Sequence, residues 1–157
     1  MFVSIIIPYY KKKNYINKTI SSVLKQSYQK FEIIIINDEP GKSSKDILAY
    51  IKTKDKRIKI INNNKNIGAG LSRNVGIDHS KGVYLAFLDA DDLWHKNKLF
   101  AQIKFMRKKN IEISHTSYEV IDDDSVIKGT RQAKLMNYKK LIKSCDIGLS
   151  TVIIKKS

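Results

Sequence analysis

Only one cysteine, Cys145, occurs in the 157 residues, so no internal disulfide can staple the fold. No partner stands at a metal-ligand spacing from it, and a buried structural thiol in a reducing, cytoplasmic setting is expected. Long apolar runs are missing too. The N-terminal run Met1-Phe2-Val3-Ser4-Ile5-Ile6-Ile7 has neither a basic leader nor a small-residue cleavage site. It stops at Pro8, too short to cross a bilayer, and reads as the first core strand. The seven glycines match neither the dinucleotide fingerprint nor a P-loop. No glycine-rich pyrophosphorylase loop lies near the N-terminus, which sets nucleotidyltransferase chemistry aside. Acidic residues are scarce, 15 against 30 lysines and arginines, for a formal charge of +15. That excess raises nucleic acid, anionic lipid or a phosphate-rich ligand as partners. Nearly all of it is scattered lysine, without the arginines and stacking aromatics that a nucleic-acid reader lines along one face, so no nucleic acid is expected. Clusters such as Lys11-Lys12-Lys13 suit peripheral contact with an anionic membrane.

What is present is enough apolar residue, 42%, for one sizeable core, and a single domain is expected. Four β-branched runs, Phe2 to Ile7, Phe31 to Ile36, Arg57 to Ile61 and Val83 to Leu88, alternate with amphipathic stretches. Such alternation predicts βαβ units and a mostly parallel sheet. Tyr15, Ile16, Ile20, Val23 and Leu24 form one helical stripe, and Ile47, Leu48 and Ile51 form another. Further helices are predicted from about Gly70 to His79 and from about Lys96 to Lys109, where Leu99, Ile103 and Met106 share a face. Right-handed crossovers would gather the tails of all four strands along one rim. Beyond Asn110, the run Ile111 to Ile121 and the run Val126-Ile127-Lys128 predict a hairpin with an acidic tip, Asp122-Asp123-Asp124. Carboxylates on such a tip diverge, so it reads as a solvated turn. A helix around Asn137 to Ser144 and a strand from Leu149 to Ile154 complete the expectation.

The predicted strand ends carry the chemistry. Asp89-Ala90-Asp91-Asp92 follows the apolar run Val83 to Leu88, at the rim where an open α/β sheet keeps its ligand. Two carboxylates spaced i, i+2 offer hard oxygen ligands to Mg²⁺ or Mn²⁺ and leave positions for phosphate oxygens. A solvated turn, with Asp92 capping a helix that starts near Trp94 or His95, fits the same residues. At the first strand, Pro8 is expected to end ladder hydrogen bonding, and a tyrosine after it either stacks on a flat base or packs under the next helix. The second strand ends in Asn37-Asp38-Glu39-Pro40-Gly41, where a carboxylate could accept from a pyrimidine N–H or merely shape a turn. The third leads through Asn62-Asn63-Asn64-Lys65-Asn66 into a glycine-containing helix start that bears Arg73. There, backbone N–H groups and Arg73 could both face a diphosphate.

Together these stretches resemble the family 2 glycosyltransferases. The matching segments are Val3 to Tyr10, Ser22 to Tyr28, Phe31 to Asp38, Ser72 to Ile77 and Gly82 to Asp92, in the family's order and spacing over nearly the whole chain. The tract Ser144 to Val152 is similar to members that build bacterial surface polysaccharides. The resemblance implies the GT-A fold, an α/β, Rossmann-like, mostly parallel sheet flanked by helices, with a C-terminal β-hairpin and strand. It implies a nucleotide-sugar donor, a UDP-sugar, with Pro8 and Tyr10 beside the nucleoside, Asp38 reading the uracil edge and Arg73 near the donor. Asp89 and Asp91 would be the D-x-D pair that holds Mn²⁺ or Mg²⁺ on the diphosphate, with Asp89 near the ribose or the metal's water shell. It also implies inversion by direct displacement onto a saccharide or lipid-linked saccharide acceptor. Where the family has two aspartates, a small residue and serine, this chain has Asn37-Asp38-Glu39-Pro40. The family's carboxylate base lies beyond the strand that ends here at Ile154, so no catalytic base is assigned. Three expectations follow: a transferase made partial by truncation, a non-catalytic nucleotide-sugar-binding module, or a basic nucleic-acid-binding domain.

Overall fold

The computed structural model describes residues 1–137, 139, 143 and 147–156. Strands β1 (Val3–Tyr9), β2 (Phe31–Asn37), β3 (Ile58–Asn62) and β4 (Tyr84–Phe87) alternate with helices α1 (Ile16–Leu24), α2 (Lys42–Lys52) and α3 (Gly68–Asp78). Helix α4 (Lys98–Lys109) then leads to β5 (Ile113–Ser114), β6 (Tyr118–Ile121) and β7 (Ile127–Arg131). A 3₁₀ turn at Leu149–Thr151 precedes β8 (Ile153–Lys155). The main sheet runs in the order β3-β2-β1-β4-β8-β5; β1 to β4 are parallel, and β8 lies antiparallel between β4 and β5. The C-terminal ends of four parallel strands therefore share one rim, as the alternating pattern predicts.

Both faces of the sheet are covered, which is why β1 and β2 are apolar almost without interruption. Ile5, Ile7, Ile33 and Ile35 pack with Ile16, Ile20 and Val23 of α1, Leu48 and Ile51 of α2, and Leu99, Ile103 and Met106 of α4. Ile6, Ile34, Ile36, Leu85 and Phe87 face the other way, toward Val75 and Ile77 of α3. Gly76 lets α3 lie close on this face, since a Cβ there would sit 2.5 Å from Ile6 Cγ2 and 2.8 Å from Ile36 Cδ1. No helix among the described residues is long and apolar enough to cross a membrane.

Several expectations are corrected. Strand β1 continues through Pro8, which pairs with Ile36, to Tyr9. Ile6 O accepts from Leu88 N on the β4 side, so the missing N–H of Pro8, two residues on, faces that side beyond the last residue of β4. Helix α3 begins at Gly68 and α4 at Lys98. Asp92 does not cap α4, whose N-cap is Asn97 without a side-chain bond. The run Ile111 to Ile121 is broken at His115-Thr116-Ser117 into β5 of the main sheet and β6 of a separate two-stranded sheet with β7. Leu149 to Ile154 is a strand only from Ile153. The helix expected at Asn137 to Ser144 and the thiol of Cys145 fall largely or wholly outside the described residues.

Away from the C-terminal rim, two carboxylates are held ionised. Asp55 accepts from the Arg57 guanidinium at 2.9 and 2.7 Å, which lowers its pKa from 3.8 to about 2. Glu32, buried in β2, is raised by burial but pulled further down by Lys59, Ser4 Oγ and the Lys81 N–H, for a net lowering. A folded-state pKa below the unfolded value adds stability that is complete above the unfolded pKa and disappears as pH falls through the folded one. Stability should therefore hold from pH 7 to about 5 and decline between about pH 4 and 2. A urea-midpoint series against pH checks this, and Asp55→Asn should flatten the acid limb.

Candidate active site at the strand-end rim

Leaving β4, the chain turns at once: Asp92 N donates to Asp89 O at 3.1 Å, closing a four-residue turn. Ala90 is buried in the core and its carbonyl accepts from Thr19 Oγ1 of α1 at 2.8 Å, so a small residue is needed there. The carboxylates of Asp89 and Asp91 remain partly open, at 40% and 37% exposure. Each meets one cation. Arg73 Nη2, from α3, lies 2.5 Å from Asp89 Oδ1. Lys12 Nζ, from the loop after β1, lies 2.7 Å from Asp91 Oδ2. The bond to Asp91 holds Lys12 above the ordinary lysine range. The Asp92 carboxyl is different: crowding by protein atoms raises its pKa, the charges of Asp89 and Asp91 add to that, and a bond from Ser150 opposes it.

Asp38, at the end of β2, is 2% exposed. Its Oδ1 accepts from Asn63 Nδ2 at 2.8 Å and from Ile67 N at 2.9 Å, and its Oδ2 from Gly68 N at 2.8 Å. Of the backbone N–H groups at this helix start, those of Ile67 and Gly68 are thus taken by Asp38, which ties the start of α3 to the sheet. A carboxylate offers about four acceptor positions, and one remains on Oδ2. Asn37 does similar work, donating to Asn62 Oδ1 at 2.9 Å and Ser44 Oγ at 3.2 Å. The asparagine tract that reads as a loop in sequence is therefore a set of interlocked side chains.

Tyr9 and Tyr10 differ in burial. Tyr9 is buried in the core, its phenol pushed up to about 12 by burial and by Glu39 beside it. Tyr10 is 43% exposed on the rim, with Lys11 Nζ 5.2 Å from its ring centroid. Arg73 is mostly covered, and its Nε is buried without a hydrogen-bond partner among the described residues. The hairpin tip is no second cluster: Asp122 pairs with Lys128 at 2.9 Å, and Asp123 accepts from Tyr15 Oη at 2.9 Å. Trp94 packs in the core, whereas His115 Nε2 lies 3.1 Å from Lys134 O, a carbonyl to which it can only donate. The contacts of Lys12, Thr19, Asn63 and Ser150 with the rim aspartates and the acidic turn are not legible in the sequence, because each is placed by chain distant from the motif it touches.

The family model described as glycosyl transferase family 2 matches residues 4–155. The chain belongs to this family. It is 36% identical over 155 residues to the Escherichia coli protein named UDP-Glc:alpha-D-GlcNAc-diphosphoundecaprenol beta-1,3-glucosyltransferase WfgD, covering 99% of this chain and 60% of that protein. It is 35% identical over 156 residues to the putative teichuronic acid biosynthesis glycosyltransferase TuaG of Bacillus subtilis, covering 98% and 62%. The chain thus spans about three fifths of the length of these relatives. Among solved structures, residues 1-349 of S. aureus TarS in complex with UDP align at a TM-score of 0.71 and 22% identity, over 99% of this chain and 47% of that one. That likeness places the glycosyltransferase family 2 chain in the GT-A fold, with the mostly parallel sheet and C-terminal strand described above.

Two hard oxygen donors on one tight turn fit the way Mg²⁺ or Mn²⁺ is held, by one or two carboxylates with substrate phosphates. Among the described residues no group of three or more His, Cys, Asp or Glu is set to hold a metal ion by itself. The remaining positions would fall to diphosphate oxygens and water.

Proposed function

We propose that residues 1–157 form one GT-A domain that binds the donor of an inverting, metal-dependent glycosyltransferase. The donor is a UDP-sugar and the acceptor a saccharide or lipid-linked saccharide of cell-surface polysaccharide synthesis. The observation that carries this reading is the juxtaposition of Asp89 and Asp91 with Arg73 and Lys12 at the C-terminal rim of β4. Asp91 and Asp89 would hold a divalent cation there. When bound, that cation supplies positive charge to the nucleoside diphosphate leaving group. Arg73, whose buried Nε lacks a partner among the described residues, and Lys12 bring fixed positive charge to the same diphosphate. Exposed Tyr10 offers a ring face to the base beside Pro8, and the open position on Asp38 Oδ2 suits the uracil N–H. The names of WfgD and TuaG, with undecaprenyl diphosphate and teichuronic acid in them, support the acceptor class. Lys11 to Lys13 beside the site suit contact with the anionic inner face of a membrane, in a cytoplasmic enzyme. Inversion by direct displacement needs a carboxylate base, and no residue of this chain is assigned that part.

Calorimetric titration with UDP, with and without Mn²⁺, tests the reading. Saturable binding that requires Mn²⁺ is expected; absence of binding in both conditions overturns it. Transfer or donor hydrolysis by the same preparation separates an enzyme from a binding module.

A further inference from the structure

The hydroxyl of Ser150 touches both ends of the acidic turn. Its Oγ accepts from the Asp89 N–H at 3.0 Å and donates to Asp92 Oδ2. Its own carbonyl accepts from the Trp94 indole Nε1 at 2.8 Å. Ser150 is fixed in turn, because it sits in the 3₁₀ turn that β8 lays against β4: Thr151 N donates to Gly148 O, and Val152 N to Leu149 O. Gln102 of α4 holds Thr151 O at 3.0 Å from behind. None of this is visible in the Asp89 to Asp92 motif itself, from which Ser150 is separated by about sixty residues of chain.

We infer that Ser150 is the positioning residue of the D-x-D pair. One side chain fixes the backbone at the first aspartate and engages the third, leaving Asp89 and Asp91, each paired with a cation through one oxygen, as the two carboxylates placed to act as metal ligands. Three adjacent carboxylates could otherwise share a cation in several arrangements, and the turn could relax when it is empty. An outer partner of this kind sets ligand orientation, and its loss typically weakens metal binding about 10- to 100-fold. The inference rests on the reading of Asp89 and Asp91 as metal ligands but not on the identity of the donor.

The test uses Mn²⁺ alone, followed by water-proton relaxation, on the full chain and on Ser150→Ala and Ser150→Thr, with amide hydrogen exchange at Asp89 read in the same samples. In Ser150→Ala the Mn²⁺ midpoint should rise about tenfold and the Asp89 amide should exchange faster, while the thermal midpoint stays near that of the parent. Ser150→Thr keeps the hydroxyl and should recover most of the Mn²⁺ affinity, which a merely structural role would not require. An unchanged Mn²⁺ midpoint in folded Ser150→Ala overturns the inference, as does a parent chain that binds no Mn²⁺. If the parent binds Mn²⁺ but not UDP, the donor reading fails while the Ser150 comparison is still decided by the Mn²⁺ midpoints.

Discussion

If Asp91 holds the cation as proposed, alanine there should weaken Mn²⁺-dependent UDP binding by about 100-fold or more, since it would delete a ligand, where loss of an outer partner already costs about 10- to 100-fold. The fold should survive. Asp91 is partly exposed, and its ion pair with Lys12 is open to solvent on both sides. Exposed pairs of this kind contribute about 1 kcal/mol or less. The thermal midpoint should therefore move little while the calorimetric signal disappears. Asp124→Ala provides the matched control, because it removes a carboxylate from the hairpin tip, where among the described residues only the Asp124 backbone N–H is engaged, by Asp122 Oδ1 at 3.1 Å. Equal loss of UDP binding in the two variants would remove the reason for placing the donor at β4.

Alanine at Asp38 should have the opposite signature, a large loss of stability together with loss of nucleotide binding. The buried carboxylate accepts from Asn63 Nδ2 and from the backbone N–H groups of Ile67 and Gly68. Removing it orphans three donors at the junction of the β3 loop with α3, each at a penalty of about 1–3 kcal/mol if water does not enter. A destabilisation of about 3 kcal/mol is expected, read as a lower urea midpoint, with faster amide exchange at Ile67 and Gly68. Asp38→Asn should fall between the two, since its Oδ1 can still accept but its amide opposes one of the remaining N–H donors. A urea midpoint within experimental error of the parent in Asp38→Ala would mean that the carboxylate does not hold the start of α3. Asp38 would then have only the ligand-facing part that the family resemblance implies.

The two aspartates show where reading from sequence ends. Asp91 follows an apolar run, and its spacing from Asp89 is a property of consecutive residues, so its place just past a strand end was legible. Asp38 was legible as a rim residue for the same reason. Its main employment was not, because Ile67 and Gly68 lie thirty residues away and reach it only once β3 has been laid beside β2. Pro8 illustrates a different limit. Its missing N–H argues for a strand end, yet the strand continues because the neighbour on that side, β4, ends first. The side on which a proline's absent donor falls is a matter of register and of partner length, neither of which the proline encodes.

By itself the sequence determined the alternation of strands and helices, the two-faced burial of β1 and β2, the common rim and the family, since apolar periodicity and consecutive motifs are local properties of the chain. It also determined the spacing of Asp89 and Asp91 and the charge excess. The tertiary structure alone decided which cation meets which carboxylate, that Asp92 is engaged by Ser150 rather than capping α4, and that the asparagine tract is interlocked. Those outcomes depend on side chains brought together from the loop after β1, from β2, α2, β3 and α3, and from the turn before β8. Hydrogen bonds and ion pairs act over about 3 Å, and only packing brings residues far apart in the chain within that reach.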